Sequence, residues 1–293
     1  LFSLFATSFI AALFSLFLAH FFITLFWTYL VMLCLYMIWR DKNLDQFGVL
    51  GFLFGILGFE IYYLISDNEK FLNLQIYLHI IAILLISYRV SVVLGREALK
   101  RENDMDEAIF VPNFIYKNIA ICMTCAFLFF NIFFEKSIGT YYVAIACGCA
   151  VLAKLKEWHY KELFRHSFVI LYYFMQLFLV VGFLGIGFSG IFGLHLETNF
   201  MHLIAINAVV FSVMLIFNVA GLRHSGQELE FLRLSKIAFI LIFLAGISRG
   251  IFAYFWSSFY IHLPATLIAL AFIFWLINFY AIFRDNDFSE DPE

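Results

Sequence analysis

Residues 200–222 form a run of some twenty positions with no Asp, Glu, Lys or Arg. A helix rises 1.5 Å per residue, so about 20 residues cross the ~30 Å hydrocarbon core of a bilayer. Comparable runs recur at 2–19, 21–39, 47–65, 72–94, 113–134, 139–154, 167–190, 236–257 and 263–283. One such run could be the buried helix of a soluble protein, but ten of them in 293 residues leave no polar elements to cover them. The composition agrees: 64% of residues are hydrophobic and 13% charged, against roughly 25% charged in a soluble domain. Barrel strands would be about 10 residues long and alternating, which these continuous runs are not. The expectation is an all-α, polytopic transmembrane bundle of about ten helices forming one integral membrane domain over residues 1–293.

The connecting segments set the orientation. One alternate set carries Arg40 and Lys42, then Arg96, Lys100 and Arg101, then Lys154, Lys156, Lys161 and Arg165, then Arg223, Arg233 and Lys236, and finally Arg284. The other set carries Lys70 and Lys136. Basic loops stay in the cytoplasm, so the first set faces inward. An even number of spans then places both termini in the cytoplasm. The setting expected is a membrane, with lipid as the main partner. No basic block suggests nucleic acid. The five cysteines, Cys34, Cys122, Cys125, Cys147 and Cys149, lie in apolar runs, which argues against a disulfide framework.

With the sides assigned, polar residues sort by depth. His20, Glu60, His79, His202 and His262 fall towards the outer ends of their runs, and Arg249 in the outer half of the ninth. Arg89 falls in the inner half of the fourth, and His224 at the cytoplasmic boundary. Ionisable groups are costly inside a membrane and by default suggest a function. The plainer readings stand beside that one. His20 and His262 read first as interfacial anchors, whereas His79 and His202 suit a ligand or an anchor equally. Glu60 could reach outward to water, and Arg89 could cap its helix by extending to the interface. Arg249 has no carboxylate on its own helix and requires an anion from elsewhere. Cys122 and Cys125 form a CxxC, read as small packing residues before a copper or redox pair. Ser225 and Glu228 fit a capping box, which predicts a short interfacial helix after His224. His202 and His224 are ~33 Å apart along one helix and cannot share one iron. No P-loop, GxSxG or HExxH occurs, and nothing in the sequence establishes catalysis.

Four spaced segments together resemble the NnrS family of bacterial membrane proteins. A family run of the type GGRxIPxFTRNxL is similar to SYRVSVVLGREAL at 87–99, with Arg89 and Arg96 aligned and the proline and threonine lost. LKEW at 155–158 resembles a family loop, and His202 followed by LRHSG at 222–226 and Leu229 resembles the family's histidine-bearing signature. A lone arginine in the next helix corresponds to Arg249. The likeness covers roughly residues 40–290. Two departures stand out: Tyr172 occupies a position where the family has histidine, and the family's WHxHE segment is absent. Family members have about twelve helices, so the resemblance implies further helices before Leu1.

What the resemblance implies is haem, with copper beside it, in a protein of nitric oxide metabolism or nitrosative-stress response. Haem would take axial histidines from facing helices, with His79 and His202 the best candidates and Arg249 beside the propionates. His224 is the further metal candidate, and Arg89 the further cofactor-binding one. Arg89 and His224 would form a separate cytoplasmic cluster. The competing readings are a multi-helix transporter or exporter, expected to show repeats or broken helices, and a cofactor-free membrane assembly protein.

Overall fold

The computed structural model describes residues 2–42, 47–102, 110–256 and 259–285. The described residues are helical, with no strand among them. In chain order the helices are α1 (Phe2–Ala12), α2 (Leu16–Asp41), α3 (Phe47–Ser66), α4 (Lys70–Lys100), α5 (Phe114–Phe133), α6 (Ile138–Leu155), α7 (Ser167–Ile191), α8 (Glu197–Ile204), α9 (Phe211–His224), α10 (Arg233–Gly250) and α11 (His262–Asp285). A π-helical turn, Ala205–Val210, joins α8 and α9 without a break, so the two make one span. Nine spans among the described residues are long and apolar enough to cross a membrane.

The first boundary differs from the expected one. The chain breaks at Leu13 to Ser15, not at His20, because the Ser15 hydroxyl accepts the Leu18 amide and starts α2 five residues earlier. His20 therefore lies inside a 26-residue span, and α1, at 11 residues, covers about half the hydrocarbon thickness. Elsewhere the ends follow local chemistry. The Asn113 side chain accepts from the Ile115 and Tyr116 amides at the start of α5, and Ser137 caps α6 through Thr140. The short helix expected from Ser225 and Glu228 does not form. The Ser225 hydroxyl instead donates back to the Gly221 carbonyl, Gly226 takes φ +64°, and the Gln227 amide donates to Leu222 O. That is a Schellman-type helix end, which needs a left-handed residue where glycine stands.

Two compact units are present, Leu1–Leu85 and Ile86–Glu293, and α4 passes from one into the other. In the first, Val31 and Cys34 of α2 pack on Leu50 and Leu53 of α3, with Trp27 and Phe52 alongside. In the second, α6 lies along α7, and α10 lies along α11 and against the α8–α9 span. The core of this unit is built on Phe127, Phe168, Phe183 and Phe239, all essentially buried. Many other apolar side chains face outward, among them Phe188, Ile240 and Leu276. Their exposure is the ordinary condition of a surface solvated by lipid tails.

Candidate functional site

In the first unit, a polar chain crosses three helices. Glu60 of α3 is 4% exposed despite its charge. His20 Nδ1 on α2 donates to Glu60 Oε2 at 3.0 Å, and Gln75 Nε2 on α4 donates to Glu60 Oε1 at 2.9 Å. Glu60 therefore does not reach for water. Both of its oxygens are satisfied inside the unit, as an intramembrane carboxylate requires. One turn beyond Gln75, His79 Nδ1 lies 2.8 Å from the Gln75 carbonyl oxygen. A carbonyl only accepts, so Nδ1 carries the proton and Nε2 is left with its lone pair. The ring is half-buried and packs edge-on against Phe52 at 5.5 Å. A tautomer fixed in this way is the arrangement in which an imidazole serves a metal through its other nitrogen. His20 is held likewise by Glu60 and stacks near Tyr63 at 4.4 Å.

In the second unit, the N-terminal end of the α8–α9 span is built around Tyr260. His202 Nε2 lies 3.1 Å from the Tyr260 hydroxyl, and the Arg249 guanidinium sits over the Tyr260 ring at 4.9 Å. His202 and Arg249, both expected at this level, thus meet through a residue that the sequence reading passed over. Helix packing positions them. Asn207, in the π turn, is fully buried and donates to the Phe243 carbonyl of α10 at 3.4 Å. Gly246 makes that approach possible, since a Cβ there would overlap the Asn207 amide. Arg249 Nε is buried without a hydrogen-bond partner, and no ion pair to Arg249 occurs among the described residues. A half-buried guanidinium in this condition has donors left for an anion.

Arg89 and His224 are both exposed, and among the described residues no hydrogen bond or ring contact links them into a cluster. His262 is exposed at the first position of α11. The polar centre near the basic loops is a different one. Lys154 Nζ, 1% exposed, donates to Glu157 Oε1 at 2.7 Å and to Gln176 Oε1 at 3.3 Å. Ser91 Oγ also donates to Glu157 Oε1 at 3.1 Å, and the Asn113 amide to Oε2 at 3.3 Å. Tyr172 lies 3.2 Å from Ser91 and donates to the Ser87 carbonyl at 3.1 Å. One carboxylate therefore ties together α4, α6, α7 and the segment leading into α5. In the sequence, Lys154 and Glu157 look like loop charges, because their burial depends on α4 and α7 covering them.

The order of these groups along nine apolar spans can be compared with known proteins. The family profile described as NnrS protein matches residues 1–286. The chain belongs to the NnrS family. No match was found among curated proteins, nor among solved structures. The NnrS match takes in α1 and α2, so the likeness reaches well before residue 40 and both compact units fall within it.

The side chains of this NnrS protein can be tested against the two groups that the family resemblance implies. For haem iron, His79 supplies a half-buried imidazole with a free Nε2, and Arg249 supplies an unpaired cation of the kind a propionate takes. His79 lies in the first unit; His202 and Arg249 lie in the second. For copper the donors fit less well. No group of three or more His, Cys, Asp or Glu side chains converges among the described residues. Cys122 and Cys125 are exposed on α5, while Cys147 is buried on α6.

Proposed function

We propose that this NnrS protein binds haem within the membrane and serves the bacterial response to nitric oxide, with the basic loops on the cytoplasmic side of the inner membrane. The observation that carries this reading is the His79 imidazole, whose Nδ1 proton is committed to the Gln75 carbonyl at 2.8 Å. An axial ligand must offer a neutral nitrogen with a free lone pair in a fixed orientation, and here the helix itself sets both. Bound haem iron would supply a site that coordinates diatomic gases. The first unit's own residues supply the axial donor and a low-dielectric surround. Copper is left out of the proposal, because the described donors do not assemble a site for it. A transporter would be expected to carry broken helices at mid-membrane. The irregularities inside the described spans are the π turn at Ala205–Val210 and the 3-10 turns Lys156–Trp158 and Phe252–Tyr254 at span ends.

Protein purified in mild detergent is expected to show a Soret band and about one iron per chain bound as haem. His79→Ala is expected to abolish the band, with the fold kept. Loss of the band in His202→Ala as well assigns a second axial donor, whereas retention leaves His79 as the single one. A colourless, iron-free wild-type preparation from haem-replete cells overturns the proposal.

A further inference from the structure

A cleft of about 260 Å³ opens where α4 ends and α7 and α10 begin, on the side of the basic loops. Arg101, Arg165 and Lys236 line it, opposed within the lining by the single carboxylate of Glu230. The lining itself holds three cations and one acid, and Glu97 and Glu102, outside the lining, pair with its two arginines. These carboxylates hold the two arginines in place. Arg101 Nε donates to Glu97 Oε1 at 3.1 Å while its guanidinium rests over the Phe168 ring at 5.7 Å. Arg165 Nη1 is held by Glu102, and His166 Nε2 lies 3.3 Å from the same carboxylate. Each guanidinium has five N–H donors and spends one or two of them on these carboxylates, so the remainder are available to a ligand.

Two further features select the ligand. Ser167, the first residue of the 25-residue α7, lies in the wall, and the N-cap residue His166 makes no side-chain capping bond. The free amides and positive end of a long helix therefore add to the field of the cations. Phe168 and Leu229 give the cleft an apolar floor at the level where the spans leave the membrane.

We propose that this cleft is a binding site for a phosphate group, with the two arginines and Lys236 as its ligands. The phosphate could be carried by an anionic phospholipid headgroup or be free in solution. The apolar floor at headgroup depth suits the lipid, whose glycerol would lie against Phe168 and Leu229 while its tails remained in the bilayer. The site is independent of any haem.

The test uses the full chain in neutral detergent, examined by native mass spectrometry with added phosphatidylglycerol, phosphatidylcholine or inorganic phosphate. Wild type is expected to bind one equivalent of phosphatidylglycerol about tenfold more tightly than phosphatidylcholine, a preference that fades as salt rises. The double variant Arg165→Glu, Lys236→Glu is expected to lose that preference. The milder Arg165→Gln, Lys236→Gln pair should weaken it, and Lys136→Glu, in the loop between α5 and α6, should leave it unchanged. Displacement of the lipid by millimolar inorganic phosphate would identify the free ion as a ligand of the same site. Equal affinity for the two lipids together with no binding of inorganic phosphate in wild type, or an unaltered preference in both double variants, overturns the proposal.

Discussion

Glu157→Ala is expected to destabilise the folded protein by about 3–5 kcal/mol, the range for removing one partner of a buried ion pair. The reason lies in what remains. Lys154, 1% exposed, keeps one weaker acceptor, Gln176 Oε1 at 3.3 Å, and no route for its ammonium to reach water without unpacking α6. Ser91 and the Asn113 amide lose their acceptor in the same step. Replacing both charges, as in Lys154→Met with Glu157→Leu, should recover much of the loss, because the cost comes from an uncompensated charge and not from missing attraction. Unfolding in mixed micelles of mild detergent and SDS measures this, with Trp158 fluorescence as a local probe. A double variant no more stable than Glu157→Ala would show that the carboxylate acts mainly through its bonds to Ser91 and Asn113.

Gly187→Val is expected to cost about 3 kcal/mol or more, at the upper end of overpacking effects. A Cβ at this point of α7 would stand 2.7 Å from the Tyr141 carbonyl oxygen and 3.1 Å from the Ile145 amide nitrogen of α6. These are backbone atoms of a facing helix, so no rotamer change relieves the clash and the two helices must separate. Helices in lipid associate through close packing at small residues, and separation forfeits that packing along much of the pair. Gly58, with nothing within 4 Å of its added Cβ, provides the control, and Gly58→Ala should be close to neutral. The same micelle titration checks both. Wild-type stability in Gly187→Val would mean that α6 and α7 are not held at this distance.

The spans were legible because each is a continuous apolar run, a pattern set by the thickness of the bilayer and not by tertiary contacts. The Ser15 break was harder to see, since one serine in an apolar run looks no different from His20 five residues later. For the site, His79, His202 and Arg249 were readable as ionisable groups at depth. Their partners were not. Glu60 looked free to reach water, and only Gln75 and His20, on two other helices, reveal it as buried. Tyr260 looked like one more interfacial aromatic in a chain with 15 tyrosines, so its place between His202 and Arg249 had no sequence signal. Ser225 and Glu228 had the spacing of a helix start, but Gly226 with its left-handed backbone makes the same segment a helix end.

The π turn at Ala205–Val210 gives the span Glu197–His224 a surplus residue. A π turn closes its hydrogen bonds one residue further along than an α turn, so it absorbs the extra residue and the flanking segments keep nearly the phase they would have without it. Removing a single codon within 205–210 would leave an unbroken α-helix still long enough to insert. It would also leave the two ends close to their present phase, with His202 still beside Tyr260. Elsewhere in the bundle, a one-residue deletion would throw a whole packed face out of register. Here the chain carries a one-residue reserve, which it can give up without turning either face of the span.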